Sequence, residues 1–206
     1  MMSFIERYAE TERRMNGFIK RSERPYIVVL GTSRAGTNYS SQVFQKAGLD
    51  IGHHTTLGKD GVVAFCATTF KCLKDCIVIQ QVRYPLHQIS SMTTSMKETW
   101  DYIGAHIDIR GHSLLRACMR YWLEWNKMAS EKAAFRYRIE DMENQWDIIC
   151  GLAGLEKCPF PAVSKTTNTR REKYTPFTWK QLEREDAWLC NQIQNLASYY
   201  GYQHIG

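Results

Sequence analysis

No run of apolar residues in this 206-residue sequence approaches the ~18–20 needed to cross a bilayer. The opening Met1-Met2-Ser3-Phe4-Ile5-Glu6-Arg7 turns charged within a few residues and has no signal-peptide core, so the expectation is a cytoplasmic protein without membrane insertion. Paired C-x-x-C spacing is also missing: Cys66, Cys72 and Cys76 cluster, but not as a zinc site would space them. Seven cysteines, an odd number at irregular positions, do not make a disulfide framework and read as buried free thiols in a reducing compartment. There is no internal repeat and no low-complexity tract. Excess charge is scarce as well. Lys+Arg 27 against Asp+Glu 21 leaves +6, which suits an anionic ligand but is too small and too dispersed for nucleic acid. What remains is an ordinary globule, 44% hydrophobic and 23% charged, long enough for one domain with a sizeable core across 1–206.

The pattern of apolar residues alternates between strand and helix. Phe4, Tyr8, Met15 and Phe18 suggest a helix on the outside of a sheet within 1–24, closed off by Arg24-Pro25. Tyr26 to Leu30 reads as a buried strand, with a helix from Thr37 to the region of Gly48. A short strand Leu49–Ile51, a turn at Gly58–Gly61 and a helix from Val62 to Phe70 follow, then a second buried strand from Cys76 to Val82. Pro85 halts that strand and a helix continues through Ser91 to about Lys97, with Trp100 to Gly111 irregular. Ser113 to Lys132 is the longest helix; Ala134 to Ile139 alternates as a strand, and a helix covers Glu143 to Gly151. After the breaker cluster Cys158-Pro159-Phe160-Pro161, 163–176 is polar and basic. One final helix from Thr178 to Tyr200 turns Trp179, Leu182, Trp188, Ile193 and Leu196 inward. This alternation predicts an α/β fold, a parallel sheet flanked by helices in three layers, with ligands at the carboxyl ends of the strands.

Two strand-to-helix junctions carry chemistry. At the first, Gly31-Thr32-Ser33-Arg34-Ala35-Gly36 is a glycine-bracketed loop feeding a helix that opens at Thr37-Asn38, a device for aiming backbone N–H groups at a phosphate. It is not a Walker A loop: the glycine spacing matches, but Thr37 and Asn38 stand where Lys and Ser/Thr would hold phosphates and Mg²⁺. The cation is inside the loop, at Arg34. At the second junction Arg83 leaves the strand end, Pro85 follows, and Ser91 lies a further turn or two along the helix, so that a guanidinium fork and a hydroxyl can grip one phosphate.

Gly31-Thr-Ser-Arg34-Ala-Gly36-Thr37 resembles the phosphosulfate loop, roughly G-x-x-[RK]-[SA]-G-T, of the sulfotransferases that use 3′-phosphoadenosine 5′-phosphosulfate (PAPS). Arg83 and Ser91 resemble the same family's 3′-phosphate motif, R-x-P-x-x-x-x-x-S. Tyr121-Trp122 followed by Arg136-Tyr137-Arg138-Ile139-Glu140-Asp141 is similar to a further stretch of the family, read as structural. The resemblance runs from Tyr26 to Tyr202 and is specific at the two loops. It implies a P-loop-like sulfotransferase topology and transfer of a sulfuryl group from PAPS, without metal, to a small-molecule or carbohydrate hydroxyl or amine, with 3′-phosphoadenosine 5′-phosphate (PAP) left over. Arg170 and Arg171, in a basic stretch where the family folds a loop over the nucleotide, become candidates for the 3′-phosphate or the sulfate; a solvated basic loop is the other reading.

A hydroxyl acceptor needs a base. His54 stands close to where related sequences carry a glutamate after a glycine. An imidazole with pKa near 6.5 can serve at neutral pH. His54 is the first candidate and His53 the second; His87, His106 and His112 are weaker ones. The acceptor wall is expected at Thr94 to Gly111, with Trp100, Tyr102 and His106. Two other functions remain open: a nucleoside or nucleotide kinase on a degenerate Walker loop, and a PAP-binding protein without transfer activity.

Overall fold

The computed structural model describes residues 4–21, 24–156, 158–164 and 175–203. The β-branched runs form a five-stranded, all-parallel sheet in the order β2-β3-β1-β4-β5. The strands are β1 (Tyr26–Gly31), β2 (Ile51–His53), β3 (Gly61–Val63), β4 (Cys76–Val82) and β5 (Phe135–Arg138). Both faces are covered, as a parallel sheet requires. Along β1 the side chains alternate between two cores: Tyr26, Val28 and Leu30 face one, Ile27 and Val29 the other.

The first core is closed by α1 (Phe4–Ile19), α3 (Pro85–Met92), α4 (Lys97–Gly104), α5 (Leu114–Ser130), α7 (Trp179–Glu185) and α8 (Ala187–Tyr199). Trp122 and Trp125 of α5 are fully buried there. The second core holds α2 (Thr37–Lys46) and α6 (Trp146–Ala153), with Phe44 against Trp146. The chain therefore leaves β1 over one face toward β2 and β3, and leaves β4 over the opposite face toward β5. Because β1 and β4 are neighbours, their carboxyl ends flank the crevice where such sheets receive ligands.

Four expectations need correction. Val62 and Val63 belong to β3, pairing with β1, rather than to a helix; β-branched residues fit that doubly buried surface, and a single 3₁₀ turn, Cys66–Thr69, follows. The second strand lies two residues later than expected, which puts His53 on the sheet. The region expected to be irregular contains α4, because Thr99, Tyr102 and Ile103 share a buried helical face. The last helix is two: Asp186, with extended backbone, accepts the Leu189 N–H at 2.9 Å to cap α8 and pairs with Arg116 at 2.8 Å. That break leaves Trp188 68% exposed rather than inward. Among the described residues, no helix is long and apolar enough to cross a membrane.

Candidate functional site: a loop between two cavities

Gly31 ends β1, and Thr32 to Ala35 form a turn closed by the Ala35 N–H on the Thr32 carbonyl at 3.1 Å. Neighbouring elements hold the loop by its carbonyls. Gln88 Nε2 donates to Ser33 O at 2.8 Å, Arg83 Nη1 to Arg34 O at 2.8 Å and Gln81 Nε2 to Ala35 O at 2.7 Å. The Ser33 N–H donates to the buried Tyr121 hydroxyl at 2.6 Å. Gly36, the N-cap of α2, has φ 89° and contributes no side-chain cap, so the first-turn N–H groups of the helix stay open to a ligand. A Cβ at Gly36 would be strained at that φ and would press on Ile139 at 3.2 Å.

Arg34, at φ 71°, directs its Nε–H to Ser91 Oγ at 3.2 Å. Arg34, Arg83 and Ser91 thus form one contiguous cluster at the crevice between β1 and β4, joined through Arg34. Thr32 and Ala35 are buried beneath the loop. The Thr32 hydroxyl is a buried polar atom with no hydrogen-bond partner among the described residues. Asn38 lies on the first turn of α2 and its carbonyl accepts from Ser41 Oγ at 2.9 Å.

The loop separates two cavities. One, of about 540 Å³, is bounded by Ala35, Gly36, Tyr39, Arg83, His87 and Phe160, with Glu140 and Glu143 at its side. Glu140 is already engaged, accepting from the Tyr84 N–H at 2.9 Å and the Tyr202 hydroxyl at 2.8 Å. Partial burial, and then the charge of Arg83, hold His87 below the usual imidazole range. The second cavity, of about 300 Å³, is bounded by Ser33, Arg34, His54 and Phe65, by Phe4, Arg7 and Tyr8 of α1, and by the Ser95–Thr99 turn.

His54 is the other non-glycine residue with positive φ among the described residues, at 56°. Such conformations cost free energy and collect at functional sites. Its ring lies 3.8 Å from that of His53, and its buried Nδ1 has no hydrogen-bond partner among the described residues. Burial, with His53 adding to it, pushes the His54 imidazole down to about 3; burial pushes His53 to about 4. Both rings are therefore neutral at pH 7, and burial makes them weak bases. His53 Nε2 is hydrogen-bonded to Thr37 Oγ1 at 3.0 Å, tying the tip of β2 to the start of α2.

The residues singled out in the sequence, Gly31 to Asn38, His53, His54, Arg83 and Ser91, are thus brought to the carboxyl-terminal end of the sheet, whereas Arg170 and Arg171 lie outside the described residues. His112 contacts Arg120 at 3.3 Å, and His106 sits against Tyr102 and Trp125. Tyr102 belongs to the core, its hydroxyl hydrogen-bonded to Thr69, and of the stretch Thr94 to Gly111 it is Ser95, Met96 and Thr99 that line the second cavity. Sequence reasoning missed Gln81, Gln88 and Tyr121 as props of the loop, and Phe4, Arg7 and Tyr8 as cavity lining. Gln81 left a signal: a polar side chain inside a buried strand must find a partner. Fold and site define an α/β protein with a cation-bearing loop at the crevice of a parallel sheet. No protein-family model and no curated protein matches the chain.

Proposed function

We propose that the protein is a sulfotransferase of P-loop-like topology that uses PAPS as donor. The observation that carries this reading is the convergence of Arg34, Arg83 and Ser91 where β1 and β4 end, between a cavity on each side of the loop. Open first-turn N–H groups of α2, two guanidinium groups and a hydroxyl fit a nucleotide carrying phosphates at two ends of its ribose. The strand order, with β1 central and its loop leading into α2, is consistent with that topology.

The donor supplies the activated sulfuryl group. Gly36, Thr37 and Asn38 hold the phosphosulfate with their N–H groups, and Arg34 neutralises charge on the departing phosphate. Its loss costs on the order of 10²–10³ in rate, as for other preorganised electrostatic groups. Arg83 and Ser91 hold the 3′-phosphate, and the Tyr39–Phe160 cavity takes the adenosine. His54, which shares the second cavity with Arg34, accepts the hydroxyl proton of an acceptor placed there. Anionic oxygens beside it raise the affinity of its imidazole for a proton.

Metal-free transfer rests on the loop chemistry: Arg34 supplies the cation from inside the loop, while Thr37, its hydroxyl engaged by His53, stands at the lysine position of a nucleotide-kinase loop and Asn38 at the Ser/Thr position that would hold Mg²⁺. A second reading, PAP binding without transfer, is favoured by the depressed basicity of both histidines. Turnover of PAPS in EDTA against a panel of small hydroxyl and amine acceptors tests the proposal. Sulfuryl transfer independent of Mg²⁺ supports it. Tight PAP binding with neither transfer nor PAPS hydrolysis supports the second reading, and Mg²⁺-dependent ATP turnover in its place overturns both.

A further inference from the structure

The composition of the cavity shared by His54 and Arg34 points to what enters it. At about 300 Å³ it accommodates a small molecule rather than a run of sugar units. One wall is aromatic, with Phe4 edge-on to Tyr8 at 5.1 Å and Tyr8 edge-on to Phe65 at 5.7 Å. Met96, 61% exposed, borders the solvent side. Such a wall binds an apolar or aromatic body.

The charges in the same lining all have one sign. Arg7 and Arg34 line the cavity, no Asp or Glu among the described residues does, and His54 is neutral at pH 7. Arg34 is committed to the phosphosulfate loop, where its Nε–H reaches Ser91. Arg7, exposed on α1, makes no ion pair among the described residues, while its neighbour Glu10 is occupied by Arg13 at 2.6 Å. A guanidinium at the rim of a cavity with an aromatic wall, paired with no acid among the described residues, is placed to receive an acid group from the ligand.

We infer, resting on the sulfotransferase reading above, that the acceptor is a small hydroxyl compound with an apolar or aromatic body and a carboxylate at the end away from the hydroxyl, the carboxylate held by Arg7. In the transfer, the acceptor oxygen forms the new bond to sulfur and the bond from sulfur to the bridging phosphate oxygen breaks. Its electron pair leaves with the phosphate, and the hydroxyl proton passes to the His54 imidazole. Helix α1 acts here as the specificity element, presenting Phe4, Arg7 and Tyr8 at i, i+3 and i+4 to one cavity.

The test is calorimetric binding of two matched pairs, 4-hydroxyphenylacetate and 8-hydroxyoctanoate against their methyl esters, to the PAP-saturated full chain and to its Arg7→Ala and Arg7→Lys variants. Both substitutions are at an exposed helix position, where Ala and Lys are good helix formers. The wild-type protein is expected to prefer at least one acid over its ester by roughly tenfold or more, the strength of a charge-assisted contact. In Arg7→Ala the acid-to-ester ratio falls toward one, and Arg7→Lys restores part of it. Equal affinity for acid and ester in the wild type, no binding of either acid, or a preference that survives in Arg7→Ala overturns the inference. The PAP titration is a separate arm: if PAP itself does not bind, the sulfotransferase reading fails, and the acid–ester comparison on nucleotide-free protein still decides the role of Arg7.

Discussion

The paired histidines make the fold acid-sensitive in a way that can be worked out. Unfolded, each imidazole titrates near 6.5; folded, burial holds His53 at about 4 and His54 at about 3. Between those values the unfolded chain binds more protons than the folded one, so stability rises with pH and is lost as pH falls from about 6.5 to about 4 for His53 and to about 3 for His54. Taking pH 7 to pH 5, each histidine withdraws about 2 kcal/mol, and the two together on the order of 4 kcal/mol, a large share of the ~5–15 kcal/mol typical of a domain. The comparison is urea unfolding of the wild type and of a His53→Asn/His54→Asn double variant at pH 7 and pH 5. Carboxylates contribute the same background to both proteins, so the difference in pH dependence isolates the pair. A wild-type loss exceeding that of the variant by about 3–4 kcal/mol is expected. Equal losses would mean that the two rings are not held neutral by burial, and the description of that corner of the site would fail.

Other outcomes follow from single contacts. Tyr121→Phe removes the hydroxyl that accepts the Ser33 N–H and leaves that donor buried, with a loss of about 1–3 kcal/mol in chemical denaturation. Arg34→Gly relieves the positive φ and raises stability by up to about 1 kcal/mol while weakening PAP binding, a pair of opposite shifts read by thermal unfolding and calorimetry. Gly52→Ala would place a Cβ 1.8 Å from the Thr56 carbonyl oxygen, so a destabilisation of about 3 kcal/mol or more, with poor recovery of soluble protein, is expected.

The parallel sheet was legible in the sequence because its central strands are continuous β-branched runs, and the cation-bearing loop at the end of β1 because glycines at 31 and 36 bracket Arg34. One three-residue strand escaped notice: Gly61–Val63 is too short for periodicity to separate strand from helix, and only its pairing with β1 settles the matter. The split between α7 and α8 turned on Asp186, which reads as a surface acid until its ion pair with Arg116 and its capping of α8 are seen. The cavity contributed by Phe4, Arg7 and Tyr8 was hidden for a different reason. An amphipathic helix announces a buried face, not which strand ends that face will overhang.

The central claim is that Arg34 and Arg83 at the ends of β1 and β4 hold a doubly phosphorylated adenosine. Calorimetric titration of PAP in EDTA into the wild-type protein, Arg34→Ala and Arg83→Ala measures it directly. Metal-independent binding to the wild type, weakened roughly tenfold or more by each substitution, is the result expected. Absence of binding to the wild type, or an affinity that neither substitution changes, would contradict it.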